Sequence, residues 1–317
     1  MSKLRGAVIG AGRMGRHHVR IMAQHPDVEL VGVVDPDTEH AKTVAKPWKA
    51  PVFATVEELP DIDVAVIVTP TQYHAETAFK LMDRNVNLLI EKPLAESPEV
   101  ARKLVETAES KGLTLAVGHV ERFNAAVQTL KKLTTEPRMI LIERMSPYTP
   151  RIKDSVVYDL TIHDIDLACW LAGGNPVKVN AVGSKVFSET TDVASTVIKF
   201  DNGCIVTIET SRATQDKVRR ISVTEKDRYI VADTLRQTIE IKRQAEVSYE
   251  GEGENLTFAQ ASVVETPMLV SAGEPLGVEQ NDFYQAVLNK TAPTVPGRDG
   301  LRAVELVDVI ENACLDS

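Results

Sequence analysis

The chain has 317 residues, 43% hydrophobic and 26% charged, with 36 basic against 45 acidic side chains and a net charge of −9. That length is enough for two domains of about 100–200 residues each. The acidic balance, with no basic stripe interleaved with aromatics, argues against nucleic acid as a partner. Cys169, Cys204 and Cys314 are far apart and form no Cys-x-x-Cys pair, so they indicate neither a disulfide framework nor a structural zinc site. No apolar run approaches the roughly 18 residues that span a bilayer, and the N-terminus lacks a signal-peptide layout. The expectation is a reduced, cytoplasmic setting with no membrane partner.

The first informative stretch is Ala7-Val8-Ile9-Gly10-Ala11-Gly12-Arg13-Met14-Gly15. A short apolar strand runs into three glycines at the G-x-G-x-x-G spacing, and a helical pattern follows from Arg13 to about His25. Gly10 permits the tight turn, Gly12 lets backbone approach a pyrophosphate, and Gly15 lets helix and strand pack closely. A second strand, Val28 to Val34, ends in Asp35, where an acid meets an adenosine ribose. An ordinary strand–helix turn would explain the glycines alone; the ordered strand, helix, strand and acid favour a dinucleotide site. Asp35, with no Arg directly after it, favours NAD over NADP, because a carboxylate repels a ribose phosphate.

Strands and helices then alternate, the pattern of a parallel sheet covered on both faces. A helix is predicted over Thr38 to Lys46. Thr55-Val56-Glu57-Glu58 has the form of a capping box opening a short helix. Asp63 to Val68 reads as a central strand, and a helix from Gln72 to Arg84 follows, with Thr71 as its cap. Val86 to Ile90 is the next strand and ends in Glu91-Lys92-Pro93. Ser97-Pro98-Glu99 starts a helix that closes at Lys111-Gly112. Leu113 to Val117 is the last strand of this part, and the domain boundary is placed at 1–119 and 120–317.

The second part carries strand-like runs without intervening helices: Arg138–Met145, Val177–Val186, Ala194–Phe200, Cys204–Ser211, Val218–Thr224, Tyr229–Ala232 and Thr238–Lys242. Ile205, Thr207 and Glu209 alternate with Val206 and Ile208, and Ile239 and Ile241 oppose Thr238, Glu240 and Lys242. This is a mostly antiparallel sheet with one face on a core and the other open to solvent or to a second subunit. Asp201-Asn202-Gly203 marks a hairpin. Helices are predicted at Tyr158–Leu171, Val278–Leu288 and Leu301–Ala313, and an exposed acidic loop at Glu250–Asn255.

Two constellations carry chemistry. Lys92 directly follows a buried strand, between a glutamate and a proline, at the edge where parallel sheets bind ligands. Near a positively charged nicotinamide its ammonium is disfavoured, which suits proton exchange with a substrate hydroxyl. The plainer reading is a loop lysine paired with Glu91. Asp159 and His163 stand four apart on one helix face, with Asp166 three residues further on. An imidazole held by a carboxylate is a general acid/base arrangement. A surface ion pair is the plainer reading, and a metal site is disfavoured because hydride chemistry with a lysine to hand needs none.

Together the glycine loop, Thr69-Pro70, Glu91-Lys92-Pro93 and Asp159-x-x-x-His163 resemble the glucose–fructose oxidoreductase, inositol dehydrogenase and rhizopine catabolism family. The likeness runs over nearly the whole chain. It implies a Rossmann domain, a doubly wound parallel sheet, followed by an α+β domain with an open-faced, mostly antiparallel sheet that mediates homodimers or homotetramers. It implies that Lys92, Asp159 and His163 form the catalytic triad. His163 would take the hydroxyl proton as hydride leaves the same carbon, Lys92 would polarise the oxygen, and Asp159 would help hold the site. It also implies that Gly10, Gly12, Arg13, Met14 and Gly15 line the pyrophosphate of NAD. Asp35 would hold the ribose, and Thr69, Pro70, His74, Glu91 and Lys92 the nicotinamide half.

Gly118 to Asn124 and Met145 to Arg151 resemble the branch of this family that oxidises the 3-hydroxyl of UDP-N-acetylglucosamine. That likeness makes His119, Arg122, Tyr148 and Arg151 candidate substrate contacts. Lys153 to Val157 replace the glycines that precede the catalytic Asp in inositol dehydrogenases. Arg122, Arg144 and Arg151 suit a diphosphate, or ordinary salt bridges. The alternatives are an inositol or free-sugar dehydrogenase and a regulator that senses NAD without turnover.

Overall fold

The computed structural model describes residues 3–151, 154–250, 257–271 and 273–315. Lys153, and the predicted acidic loop past Glu250, therefore lie outside the described residues. The chain divides into two compact units, Met1–Phe123 with Ala272–Asp308, and Asn124–Ser271 with Val309–Ser317.

The first unit contains β1 (Leu4–Ile9), α1 (Arg13–Gln24), β2 (Val28–Val34), α2 (Thr38–Ala45), β3 (Val52–Phe53), β4 (Val64–Ile67), α3 (His74–Asp83), β5 (Asn87–Glu91), α4 (Pro98–Lys111) and β6 (Leu115–Gly118). Its six strands are all parallel, in the order β3-β2-β1-β4-β5-β6. The order reverses between β1 and β4, so the crevice at their carboxyl ends opens beside the glycine loop. The expected doubly wound sheet is present. α4 follows its sequence signals: Ser97 Oγ accepts the Val100 N–H at 3.3 Å, Pro98 occupies the first turn, and Gly112 closes the helix at φ 65°.

Two caps differ from the sequence reading. Thr71 caps nothing; a 3₁₀ turn over Thr71–Tyr73, closed by the Tyr73 N–H on Pro70 O at 2.9 Å, leads into α3. Thr55 likewise makes no cap bond, and the helix there is a single 3₁₀ turn, Val56–Glu58. Neither half of the box forms; Glu58 Oε2 reaches past Thr55 to accept the Ala54 N–H at 3.0 Å. Pro60 ends the turn by holding Leu59 extended.

Sequence periodicity predicts one crossing at 119/120, whereas the chain leaves the first unit after Phe123 and returns for Ala272–Asp308. Burial explains the return. α7 (Pro275–Asn289) packs Phe283 and Tyr284 into the core layer formed by Val8, Val28, Val66 and Leu89. The Val117 N–H then donates to Val295 O at 3.1 Å, covering the edge of β6. Amphipathic periodicity identifies a helix but not the sheet it covers.

The second unit opens with α5 (Ala125–Leu133), which the sequence reading missed. Asn124 Oδ1 caps it by accepting the Ala126 N–H at 3.0 Å. β7 (Met139–Met145) and α6 (Ile162–Ala172) precede a run of strands: β8 (Pro176–Ser184), β9 (Val193–Phe200), β10 (Ile205–Ser211), β11 (Val218–Thr224), β12 (Tyr229–Asp233), β13 (Thr238–Glu250) and β14 (Thr257–Glu265). The sheet order is β14-β13-β12-β11-β7-β10-β9-β8, antiparallel except for β7 beside β10. Ile140, Ile142, Val206, Ile208, Ile239 and Ile241 are buried on one face, as their alternation requires. Met139, Val197, Ile205 and Tyr229 are exposed and lie on the opposite face. α8 (Gly297–Leu315) is longer at both ends than its apolar pattern indicated. Among the described residues no helix is long and apolar enough to cross a membrane.

Arg122 is 2% exposed, and one guanidinium nitrogen donates to Asp299 Oδ2 at 2.8 Å and to Thr294 O at 3.1 Å. This charge ties the end of the first segment to the returning one. Replacing Arg122 with Met leaves Asp299 without this ion pair and is expected to cost about 3 kcal/mol. A lowered urea midpoint would report the loss; an unchanged midpoint would count against the role.

Candidate active site

In the first unit the glycine loop is shaped by close contact. A Cβ at Gly15 would lie 2.0 Å from Gly10 O, and one at Gly10, where φ is +104°, would lie 2.8 Å from Val68 O. Only glycine permits the strand end and the helix start to approach this closely. A Cβ at Gly12 would meet nothing within 4 Å, so the position that begins α1 faces open space of the kind a pyrophosphate needs.

Asp35 braces this loop. Its Oδ2 accepts the Ala11 N–H at 2.7 Å and its Oδ1 accepts the Asp37 N–H at 2.9 Å. A carboxylate has lone pairs beyond those two bonds, so ribose hydroxyls remain within its capacity. A cleft of about 590 Å³ runs past Gly10, Gly12, Asp35, Thr69, Pro70 and Tyr73. Thr69 Oγ1 is buried with no hydrogen-bond partner among the described residues. Open space at Gly12, an acid at the end of β2 and an orphaned hydroxyl fit a dinucleotide. Arg13 and Met14 are exposed at the start of α1. A second cleft of about 590 Å³ lies among Leu113, Lys290 and Arg298 and holds none of these features.

At the end of β5, Glu91 is largely buried. Its Oε1 lies 2.9 Å from His18 Nε2, and its Oε2 accepts the Lys92 backbone N–H at 3.1 Å. His74 is 1% exposed, with Nδ1 2.9 Å from Pro93 O and Nε2 2.9 Å from Thr69 O. It ties the Thr69-Pro70 turn to the Lys92-Pro93 turn. Burial pushes the His74 imidazole below its ordinary value, against the bonds to those carbonyls. His119 is buried at the end of β6. Lys92 is half-buried.

In the second unit, Asp159 and His163 stand on either side of a change in helix type. Val157–Thr161 forms a π turn and α6 begins at Ile162. Such turns recur at functional sites because the wider i→i+5 spacing re-aims side chains; nothing in the apolar pattern announced this one. Both residues are half-buried, and Asp166 is buried. Arg144 binds both oxygens of the buried Asp164 through Nε at 2.8 Å. That pairing gives Arg144 a place in the fold and anchors α6 to β7.

Tyr148 lies against Phe187, with ring centroids 5.1 Å apart, and Arg151 is exposed. The Phe187 turn is held by Asp192, which accepts the N–H groups of Val186, Phe187 and Ser188 and pairs with Arg212. Burial works to raise the Asp192 carboxyl, and these donors outweigh it and hold it well below the usual carboxylate range.

His18, Gln280 and Glu279 also border Glu91 or its partners and escaped the sequence reading. For His18 the signal was its spacing, since it shares the buried face of α1 with Gly15 and Met22. No sequence signal connected it to Glu91, 73 residues away.

Residues 4–119 match the oxidoreductase family with an NAD-binding Rossmann fold, and residues 135–231 match the GFO/IDH/MocA C-terminal domain. The chain belongs to the GFO/IDH/MocA oxidoreductase family. It is 36% identical over 244 residues to the UDP-N-acetylglucosamine 3-dehydrogenase of Acidithiobacillus ferrooxidans, covering 76% of this chain and 77% of that one. A solved structure of that organism's enzyme, GnnA, is 32% identical with a TM-score of 0.91 and covers 99% of this chain and 98% of that one. The scyllo-inositol 2-dehydrogenase (NAD(+)) of Bacillus subtilis is 30% identical over 66% of this chain and 68% of its own length. Family members of this kind are dehydrogenases acting on sugar or inositol hydroxyls, and the chain is an NAD-binding enzyme of that class.

Because the folded unit favours neutral His74, the unfolded chain takes up this proton first as the medium acidifies. The His74 contribution to stability is therefore present above about pH 6.5 and lost as pH falls below it. Thermal melts of wild type and His74→Gln across that range are expected to show a shallower acid-side decline in the variant.

Proposed function

We propose that the protein oxidises a sugar hydroxyl to a ketone with NAD, and that its substrate is a nucleotide sugar of the UDP-N-acetylglucosamine type, attacked at the 3-position. The observation that carries this reading is the likeness to UDP-N-acetylglucosamine 3-dehydrogenase across 99% of the chain at 32% identity. Nicotinamide, when bound, supplies the hydride acceptor. His163 takes the proton of the reacting hydroxyl, and Asp159 holds the imidazole for that task. Lys92, protonated, donates a hydrogen bond to the same oxygen and stabilises the negative charge that develops there.

Substrate contacts are assigned to His119, Tyr148 and Arg151. The bonds from Arg122 to Asp299 and Thr294 account for it as a structural residue. Asp35 supports NAD over NADP, because its carboxylate repels a 2′-phosphate. The open sheet face, apolar at Met139, Val197, Ile205 and Tyr229, supports assembly into dimers or tetramers. Three buried free cysteines are in keeping with a reducing cytoplasm.

The test is turnover of UDP-N-acetylglucosamine, myo-inositol and glucose with NAD and NADP compared. UDP-N-acetylglucosamine with NAD is expected to give the highest kcat/KM. Lys92→Ala and His163→Ala are each expected to lower kcat by about 10²- to 10⁴-fold. Preferred turnover of myo-inositol would replace the substrate assignment. NAD binding with no alcohol oxidised would favour a sensor.

A further inference from the structure

Glu91 is at one end of a chain of hydrogen bonds that runs in a single direction through the first unit. Gln280 Nε2 lies 3.3 Å from His18 O, which only accepts, and Gln280 Oε1 accepts the Tyr284 hydroxyl at 2.7 Å. These two contacts settle which end of the amide faces His18. Gln280 Nε2 therefore donates to His18 Nδ1 at 2.9 Å. With Nδ1 accepting, the ring proton sits on Nε2 and is donated to Glu91 Oε1 at 2.9 Å. The other oxygen of Glu91 accepts from Lys92. A Cβ at Gly118 would lie 2.9 Å from that oxygen, so glycine on β6 makes the room it occupies.

A second carboxyl shares this interior. Glu279, on α7, is 2% exposed, and neither of its oxygens has a hydrogen-bond partner among the described residues. Burial, with the charges of Glu91 and Asp282, pushes the Glu279 carboxyl well above its ordinary value. Burial acts on Glu91 in the same direction, but the bond from His18, the Lys92 N–H and the Lys92 charge outweigh it and leave Glu91 lowered. Two carboxyls in one low-dielectric site do not ionise together. The donors decide which one does. Among the described residues, Lys92, Glu279 and the His74 imidazole on α3 interact with Glu91 besides His18, and Asp282 acts on Glu279.

We infer that His18 is a positioning residue. Its Nε2–H holds the Glu91 carboxylate against Lys92 at the end of β5, where that carboxylate favours Lys92 as an ammonium. The inference rests on the role proposed above for Lys92. A neutral Lys92 loses the charge that stabilises the developing alkoxide, so His18 influences the reaction without touching the substrate.

The experiment measures Lys92 protonation directly, by trace acetylation with acetic anhydride across a pH series and mass spectrometry of the Lys92 peptide. Wild type is compared with His18→Leu, which removes the donor, His18→Gln, which keeps an N–H at similar reach, and Glu91→Gln, which removes the charge. His18→Leu and Glu91→Gln are expected to move the Lys92 midpoint down by about one pH unit, with His18→Gln restoring most of it. In turnover, kcat of His18→Leu is expected to fall by up to about tenfold at pH above its lowered Lys92 midpoint, with little change well below it, and its pH profile to shift with that midpoint.

An unchanged midpoint in His18→Leu overturns the inference. If that variant does not fold, an unchanged midpoint in Glu91→Gln does so. Labelling needs no turnover, so the outcomes are separable. A wild type that oxidises no sugar ends the functional reading, whereas normal oxidation with an unmoved midpoint ends only the role of His18.

Discussion

The close approach of Gly15 to the Gly10 carbonyl is the constraint on which the cofactor cleft depends. With 2.0 Å between a hypothetical Cβ and that oxygen, any side chain at Gly15 would push α1 away from β1. The free N–H groups at the start of the helix would then no longer face the crevice between β1 and β4. Asp35 reinforces the geometry from the neighbouring strand by accepting the Ala11 N–H. One acid at the end of β2 thus braces the glycine loop and lines the cleft beside it.

Around that loop, polar side chains work mainly by holding turns in register. His74 links the turn after β4 to the turn after β5, and Glu91 links β5 to α1 through His18. Arg122 joins the end of the first segment to the returning C-terminal one. Glu91 and Arg122 are largely buried and hydrogen-bonded, the condition under which interior polar groups specify one arrangement instead of weakening it.

The second unit applies the same economy to a sheet with one open face. Arg144 anchors α6 by both oxygens of Asp164, and Asp192 gathers three backbone N–H groups and Arg212 to fix the turn that carries Phe187. The segment Asp159–His163 is therefore tied to β7 through α6, and the aromatic pair Tyr148–Phe187 to the turn that Asp192 holds. Isoleucines fill one side of this sheet, while the other keeps apolar side chains exposed.

Much of this was legible in the amino-acid order because it depends on local rules. The glycine spacing, the acid at Asp35, the Ser97-Pro98 helix start and the two-residue alternation of Ile205 to Glu209 are each readable within one element. The run Glu91-Lys92-Pro93 pointed to the ligand edge of the sheet for the same reason. Tertiary structure alone decided which sheet α7 covers, that Thr71 caps nothing, that Asp159 lies in a π turn leading into α6, and that Arg122 pairs with Asp299 in the interior. It also brought His18, Glu91, Gln280 and Glu279 together, residues up to 262 positions apart. Periodicity reports the face a side chain presents. It carries no information about which distant face meets it, and the charge state of a buried carboxyl depends on that meeting.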